Sequence, residues 1–136
     1  MKNLQIYLNF PGNCREVINF YYDAIGGEIK SIQTFEEAHM EVPDEFKSNI
    51  IHCVYDCAGV TIMASDNMPG QSPIMGTNFA LTIDCSNEEE QDRIFNNLCD
   101  GGEITMPLQV TFWKARFGMV KDKFGINWML NLNQEG

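Results

Sequence analysis

The chain has 136 residues, of which 44% are hydrophobic, and its formal net charge at neutral pH is -10. This length suits one well-packed domain or two small modules, and no apolar run reaches the ~18 residues that a membrane-spanning helix requires. Because only nine Lys and Arg residues stand against 19 Asp and Glu residues, we expect no binding to nucleic acid and none to an anionic membrane surface.

The N-terminus and the cysteines favour a cytoplasmic location. The first residues, MKNLQ, lack the apolar core and the cleavage site of a signal peptide. The cysteines are odd in number and form neither a C-x-x-C pair nor a zinc-finger spacing, so we expect reduced, buried thiols. These five residues are Cys14, Cys53, Cys57, Cys85 and Cys99.

The first half of the chain predicts the order β-α-β-β-β. Residues 4–10 alternate apolar and mostly polar side chains, which is typical of a half-buried strand. Asn13 is a suitable N-cap for a helix over 14–25, whose apolar residues recur at three- and four-residue steps and which ends at Gly26-Gly27. Three strands are predicted next, over 28–35, 49–56 and 60–64, with an acidic loop or short helix over 36–48.

The second half repeats this order after a segment rich in Pro and Gly, residues 67–76. A strand over 77–84 precedes a helix capped by Ser86 or Asn87, whose first turn is acidic and therefore suits the positive end of the helix dipole. Gly101-Gly102 ends this helix. A short strand over 103–106 then stops at Pro107.

The last two predicted strands form an aromatic-rich hairpin over 112–131. Its tight turn covers residues 122–125, where Gly125 supplies a permissive backbone and the Asp122 carboxylate can cap the turn. Trp128 has apolar neighbours on its own side of the strand and is expected in the core. We predict that this hairpin closes a sheet and forms one wall of a pocket.

The repeated order predicts an α+β fold made of two βαβββ modules. The modules cover about 1–67 and 76–136, with a linker over 68–75, and together form a single domain over 1–136. Since each helix covers one face of its sheet, we expect the remaining faces to line a curved eight-stranded cup with a cavity between the modules.

Seven stretches together carry a resemblance to a known family. They are Leu8-Asn9-Phe10, Gly12-Asn13-Cys14-Arg15-Glu16, Asn19-Phe20-Tyr21, Gly26-Gly27, Ile51-His52, Met63-Ala64-Ser65-Asp66 and Asp122-Lys123-Phe124-Gly125-Ile126-Asn127-Trp128. With them the chain resembles the PhnB-like branch of the vicinal-oxygen-chelate (VOC) superfamily, whose members are also labelled 3-demethylubiquinone methyltransferase-like. The superfamily includes glyoxalase I, extradiol dioxygenases, fosfomycin-resistance enzymes and bleomycin-binding proteins. The resemblance implies the paired βαβββ fold and a homodimer, but fold alone does not imply function.

Enzymes of this superfamily usually hold a divalent metal with His and Glu from the first, fourth, fifth and eighth strands. By register with glyoxalase-like sequences, these positions fall here on Ile6, Met63, Asn78 and Met129. Strand alternation instead puts Gln5, Tyr7 and Asn9 on the cavity side of the first strand. We therefore expect a slip of one residue from Ile6, which leaves Gln5 or Tyr7 as the first-strand group. Thioether, amide and phenol groups are poor ligands for such cations. We therefore predict that the usual metal is absent and expect no cofactor.

Strand alternation also gives a predicted set of ligand-binding residues on the cavity side. Trp113 is a candidate for stacking on a ligand. Arg116 and Lys114 are candidates for binding an anion, although edge charges that discourage aggregation explain them equally well. The full predicted set is Tyr7, Asn9, Met63, Ser65, Asn78, Trp113, Arg116, Asn127 and Met129.

Three functions compete at this point. The first is binding of a small molecule, where the acidic surface favours a planar cation. The second is a glyoxalase-like lyase or isomerase in which His52, near Asp56 and Asp66, acts as an acid or base. A structural His is the commoner explanation for such a residue. The third is an interaction role with no ligand. The chain contains no P-loop, dinucleotide-binding glycine motif or Ser-His-Asp order.

Overall fold

The structure, a computed structural model, describes residues 1–134. The chain divides into two compact units, Met1–Ile74 and Met75–Gly136. Each unit contains one four-stranded sheet and one long helix in the order β-α-β-β-β. The predicted α+β fold of two βαβββ modules is confirmed. No helix in the described part of the chain is both long and apolar enough to cross a membrane.

The first unit contains a mixed sheet with the strand order β1-β4-β3-β2. Strand β1 runs parallel to β4, and the other two pairings are antiparallel. A one-turn 3-10 helix, Asp44–Phe46, lies in the acidic loop. The elements are β1 (Ile6–Phe10), α1 (Cys14–Ile25), β2 (Glu28–Thr34), β3 (Ile50–Cys57) and β4 (Val60–Asp66).

Helix α1 covers one face of this sheet because the apolar residues of both elements fall on matching sides. Its buried side chains include Val17, Ile18 and Tyr21. Buried side chains of the sheet lie on the side of this helix. They are neighbours across the strands, because Leu8 pairs with Ala64, Ala64 with Cys53, and Ile62 with Tyr55. Since strand side chains alternate between faces, the residues between these positions lie on the other face. We call it the helix-free face of the first sheet.

The second unit repeats the arrangement with the strand order β5-β8-β7-β6. Strand β5 pairs in parallel with β8, and the other pairings are antiparallel. The elements are β5 (Leu81–Asp84), α2 (Glu88–Cys99), β6 (Glu103–Val110), β7 (Ala115–Lys121) and β8 (Asn127–Asn133).

The N-terminus of α2 is closed by a reciprocal pair of hydrogen bonds. The backbone N–H of Glu90 donates to Asn87 Oδ1 at 2.8 Å, and the backbone N–H of Ser86 donates to Glu90 Oε1 at 2.9 Å. This arrangement resembles a capping box and satisfies two N–H groups at the helix start. Asn87, one of the two predicted caps, is therefore the N-cap residue.

Two strand boundaries differ from the prediction. Strand β5 begins at Leu81 rather than at residue 77, because β8 begins only at Asn127 and offers no backbone partner to the earlier residues. Strand β6 continues through Pro107 to Val110. A proline is tolerated there because β6 is an edge strand, and its register with β7 shifts on both sides of Met106.

The closing turn is organised by the Asp122 carboxylate, which is 3% exposed. Its Oδ1 accepts hydrogen bonds from the backbone N–H groups of Phe124 at 2.9 Å and Ile126 at 3.0 Å. Its Oδ2 accepts a hydrogen bond from Trp128 Nε1 at 2.8 Å. Gly125 has a φ of +93°, which favours glycine. The predicted turn and the buried position of Trp128 are both confirmed.

Candidate functional site

Two predicted ligand-binding pairs lie side by side on the helix-free face of the first sheet. Tyr7 pairs with Met63 and Asn9 pairs with Ser65 in the β1–β4 register. Directly paired residues share a face, and the intervening residues Leu8 and Ala64 are buried on the opposite side. The structure therefore places Tyr7, rather than Ile6, on the same face as Met63.

A hydrogen-bonded polar cluster joins β1 to β4 on this face. Tyr7 Oη donates to Ser65 Oγ at 2.5 Å, and Asn9 Nδ2 donates to the same oxygen at 3.1 Å. Asn9 Nδ2 also lies 3.4 Å from the Ser65 carbonyl oxygen. Ser65 is 5% exposed and Tyr7 is 52% exposed. Because Tyr7 and Asn9 are exposed, the cluster reaches the solvent through them. We call Tyr7, Asn9 and Ser65 the β1–β4 cluster.

His52 lies on β3, the strand that also carries Asp56. Asp56, on the same strand, accepts a hydrogen bond from Thr61 Oγ1 at 2.8 Å. Asp66 is 3% exposed and has its oxygens committed to backbone N–H groups. Within residues 1–134, His52 makes no hydrogen bond to either carboxylate, so the predicted acid–base pair is not formed.

Asp66 instead fastens the start of α1 to the sheet. Its Oδ1 accepts from the N–H groups of Gly12 at 3.1 Å and Cys14 at 2.8 Å, and its Oδ2 accepts from Ile50 N–H at 2.8 Å. A carboxylate is favourable at the positive end of a helix. Asn13 occupies the N-cap position, as predicted, but its side chain makes no capping hydrogen bond.

The buried thiols are poor nucleophiles at neutral pH. Burial, reinforced by the Asp66 charge, raises the pKa of Cys14 far above its usual range. Burial also raises the pKa of Cys53 and of Cys85 to about 11 in each case. Since the thiolate is the reactive form, these three cysteines serve as packing groups.

In the second unit, Asn127 and Met129 lie on β8, on the side opposite the buried residues Trp128 and Leu130. Asn127 Nδ2 donates to the Gly76 carbonyl at 3.1 Å, which ties the start of β8 to the segment before β5. Asn78 was predicted on the fifth strand, but it precedes β5 and belongs to no strand. Its predicted alternation with β5 residues is therefore wrong.

Trp113 lies in the turn between β6 and β7 rather than on a strand. Its ring packs edge-to-face against Phe112 at 4.8 Å and Phe117 at 5.7 Å between centroids. Phe112 is 93% exposed. Lys114, expected on the seventh strand, also lies in this turn with a φ of +59°.

Arg116 faces α2, and this corrects the prediction that it lines a cavity. Its Nη2 lies 2.8 Å from Asp92 Oδ1 and its Nε 3.7 Å from Glu88 Oε1. Its Nη1 donates to Gln91 Oε1 at 3.1 Å, and Gln91 Nε2 donates to the Arg116 carbonyl at 2.9 Å. Gln91 is fully buried. A signal was present in the sequence, because a Gln on the apolar stripe of α2 requires a polar partner.

The residues that were predicted by register to occupy metal positions do not fit a divalent cation. The positions that were predicted from register offer thioethers at Met63 and Met129, an amide at Asn78 and a phenol at Tyr7. Within residues 1–134, no group of three or more His, Cys, Asp or Glu side chains could hold a metal ion. Hard and borderline cations prefer carboxylate and imidazole ligands.

The second unit also has a surface concavity of about 300 Å³ between the end of α2 and the closing turn. It contains none of the predicted site residues. Its lining combines glycines with acidic and basic residues. The lining residues are Gly101, Gly102, Glu103, Lys121, Asp122, Lys123 and Gly125.

Comparison with known proteins identifies the family. Residues 2–131 match the family described as 3-demethylubiquinone-9 3-methyltransferase. The chain belongs to this PhnB-like family. It is 39% identical to Protein YjdN of Escherichia coli over 95% of this chain and 94% of that one.

Solved structures show the same fold. A putative 3-demethylubiquinone-9 3-methyltransferase, the PhnB protein of Bacillus cereus, has a TM-score of 0.82 and 29% identity over 96% of this chain and 99% of that one. The fosfomycin resistance protein FosX of Listeria monocytogenes has a TM-score of 0.66 and 14% identity over 98% of this chain and 93% of that one. At 14% identity, the likeness to FosX shows a shared fold alone.

Proposed function

We propose that this PhnB-like protein binds a small molecule at the helix-free face of its first sheet. The observation that carries the proposal is the β1–β4 cluster. It places a half-exposed phenol and an exposed amide each within hydrogen-bond distance of one buried hydroxyl group. Met63, directly paired with Tyr7, adds an apolar thioether beside them. A few polar groups placed among apolar surface are typical of small-molecule sites.

Binding is favoured over acid–base catalysis because the groups that catalysis would need are committed elsewhere. Asp56 is hydrogen-bonded to Thr61, and Asp66 holds three backbone N–H groups. A general base is normally oriented by a second group, and His52 has no such carboxylate partner within residues 1–134.

The family description names a methyltransferase, but the start of α1 does not support methyl transfer. The turn after β1 contains a single glycine, Gly12, rather than a glycine-rich loop. The N–H groups of Gly12 and Cys14 are already taken by the Asp66 carboxylate. That helix start therefore has no free donors at these two positions for a bound cofactor.

A thermal-shift screen tests the proposal with planar cations such as proflavine and with neutral aromatic carbonyl compounds. A ligand at 100 times its dissociation constant should raise the free energy of unfolding by about 2.7 kcal/mol. We expect Tyr7→Ala to abolish the shift. Phe112→Ala, which removes an exposed ring in the second unit, should preserve it. If a ligand's shift survives Tyr7→Ala unchanged, binding at this face is contradicted.

A further inference from the structure

We propose that the second sheet carries a site for a soft monovalent metal ion, Cu(I), formed by the thioether sulfur atoms of Met106, Met119 and Met129. We call these three residues the methionine row. None of them belongs to the first sheet, so this site is additional to the proposed ligand-binding face. The strand register and the chemistry of the thioether group support it.

The methionine row crosses three neighbouring strands. Met106 of β6 pairs with Met119 of β7, and Met119 pairs with Met129 of β8. Directly paired residues share a face and have Cβ atoms about 4.5–5.5 Å apart, so the central residue has a thioether chain on each side. All three side chains are partly exposed. Because a methionine side chain is unbranched and has three rotatable bonds, the two outer sulfur atoms can lean toward the central one.

An irregularity in β6 directs Met106 into the row. Ile104 pairs with Val120, which is 1% exposed and lies on the buried face of the sheet. On a regular strand, residues two apart share a face, so Met106 would follow Ile104 to that side. The register instead shifts between Ile104 and Met106, and Met106 pairs with Met119. Bulges re-aim side chains in this way and are over-represented beside functional sites.

The chemistry of the row selects the kind of ion. Thioether sulfur is a soft ligand that favours Cu(I), whereas Mg²⁺ and Mn²⁺ favour oxygen ligands. The property that makes these side chains poor ligands for the usual divalent ions therefore suits a soft monovalent ion. Phe117 lies two residues from Met119 on the same strand face, and its ring contacts that of Trp113 at 5.7 Å between centroids. This apolar neighbourhood limits competition from water.

The charges around the row favour a cation. Asp84 pairs with Asn131, two residues along β8 from Met129, and therefore lies on the same face as the row. On the other side of the row, Lys121 pairs directly with Glu103, so these opposite charges offset one another. The chain as a whole carries a net charge of -10, which attracts cations. Three neutral thioethers leave the charge of the ion in place, and this surrounding negative charge offsets it.

A titration with Ag(I) tests the site, because Ag(I) shares the charge and the ligand preference of Cu(I) and is stable in air. The protein is labelled with ¹³C in its methionine methyl groups and observed by NMR. Of the eight methionines, we expect the three of the row to shift together and to saturate at one Ag(I) per chain. Cysteine thiols also bind soft metals, so the parent protein carries Cys57→Ser and Cys99→Ser, which remove the two partly exposed thiols.

Substitutions by Leu assign the site to the row. Leu has nearly the volume of Met and should preserve the fold. Loss of even an outer-shell partner typically costs about 10–100-fold in metal affinity, so we expect Met119→Leu and Met129→Leu each to weaken Ag(I) binding at least about 10-fold. Met68→Leu, a methionine of the first unit that is 41% exposed, is the matched control and should leave the affinity unchanged. Zn(II) should not shift the methyl signals of the row.

The contrary results are equally distinct. Unchanged Ag(I) affinity in both Met119→Leu and Met129→Leu, or methyl shifts spread evenly over all eight methionines, would overturn the site and leave the row a packing role only. A response to Zn(II) as strong as that to Ag(I) would contradict the selectivity for a soft ion. These results are independent of the proposed function, whose test depends on Tyr7 in the first sheet.

Discussion

Substituting Asp122 tests how the closing hairpin is held together. Its carboxylate oxygens accept hydrogen bonds from Phe124 N–H, Ile126 N–H and Trp128 Nε1. In Asp122→Asn one oxygen becomes an NH₂ group, which cannot accept. Whichever way the amide turns, at least one of these donors loses its partner.

The expected cost follows from the burial of these groups. A buried donor without a partner costs about 1–3 kcal/mol, and hydrogen bonds to charged groups contribute about 1.5–3 kcal/mol. We therefore expect Asp122→Asn to lower the free energy of unfolding by about 2–4 kcal/mol, against a typical total of about 5–15 kcal/mol. Urea unfolding followed by far-UV circular dichroism measures this loss.

A double-mutant cycle with Trp128→Phe isolates the indole hydrogen bond. In the double variant the new NH₂ group no longer faces an indole N–H, so Asp122→Asn should cost less than it does alone. We expect a coupling energy of about 1–2 kcal/mol, within the usual range for residues in contact. Additive effects of the two substitutions, or a loss below about 0.5 kcal/mol for Asp122→Asn, would refute this account of the turn.

Four further predictions concern packing, charge, thiols and assembly. Gly118→Ala should destabilise the protein by about 1–3 kcal/mol, because a Cβ there would lie 2.8 Å from the Phe95 ring and 2.9 Å from Leu108. Urea unfolding measures this loss of stability. Gly76→Ala, whose Cβ would lie 3.4 Å from Asn78 Oδ1 without a positive φ, is the control and should be nearly neutral. Arg116→Ala should lower stability by about 1–3 kcal/mol, because it leaves buried Gln91 Oε1 without its donor. Ligand binding at the helix-free face of the first sheet should be unchanged. An unaltered unfolding midpoint would contradict the packing role of Arg116. The raised pKa values of Cys53 and Cys85, from 9.0 to about 11, predict that stability is full below about pH 9 and declines as pH rises toward 11. Replacing both residues by Ala should make this decline less steep in a pH series of unfolding curves, and Cys14 and Tyr55, whose pKa values burial also raises, should retain part of it. The expected homodimer predicts a mass in sedimentation equilibrium of twice the chain's 15.5 kDa, and a monomeric mass would contradict it.

Local patterns predicted the elements whose limits depend on nearby residues. Helix α1 spans Cys14–Ile25 as predicted, since its apolar spacing and the following glycines are local signals. The face of β1 that carries Tyr7 and Asn9 followed from simple alternation. The turn around Asp122 was also predictable, because Asp and Gly stand at the positions that such a turn requires.

Features that depend on distant residues were not predictable from local patterns. The start of β5 depends on where β8 begins, more than 40 residues later in the chain. Asp66 binds the N–H of Cys14 across 52 residues, so its capping role left no local trace. Arg116 was assigned to a cavity by alternation, whereas its long side chain reaches α2 and its acidic residues.

The most direct test of ligand binding at the helix-free face is a map of amide chemical shifts in the ¹⁵N-labelled protein. The added probe is acetophenone, one of the neutral aromatic carbonyl compounds of the thermal-shift screen. The account predicts that the largest changes cluster at Tyr7, Asn9, Met63 and Ser65, which are adjacent in the β1–β4 register. They should disappear in Tyr7→Ala and persist in Phe112→Ala, which removes an exposed ring in the second unit. Changes confined to the second unit, or no saturable change at these four residues, would contradict the account.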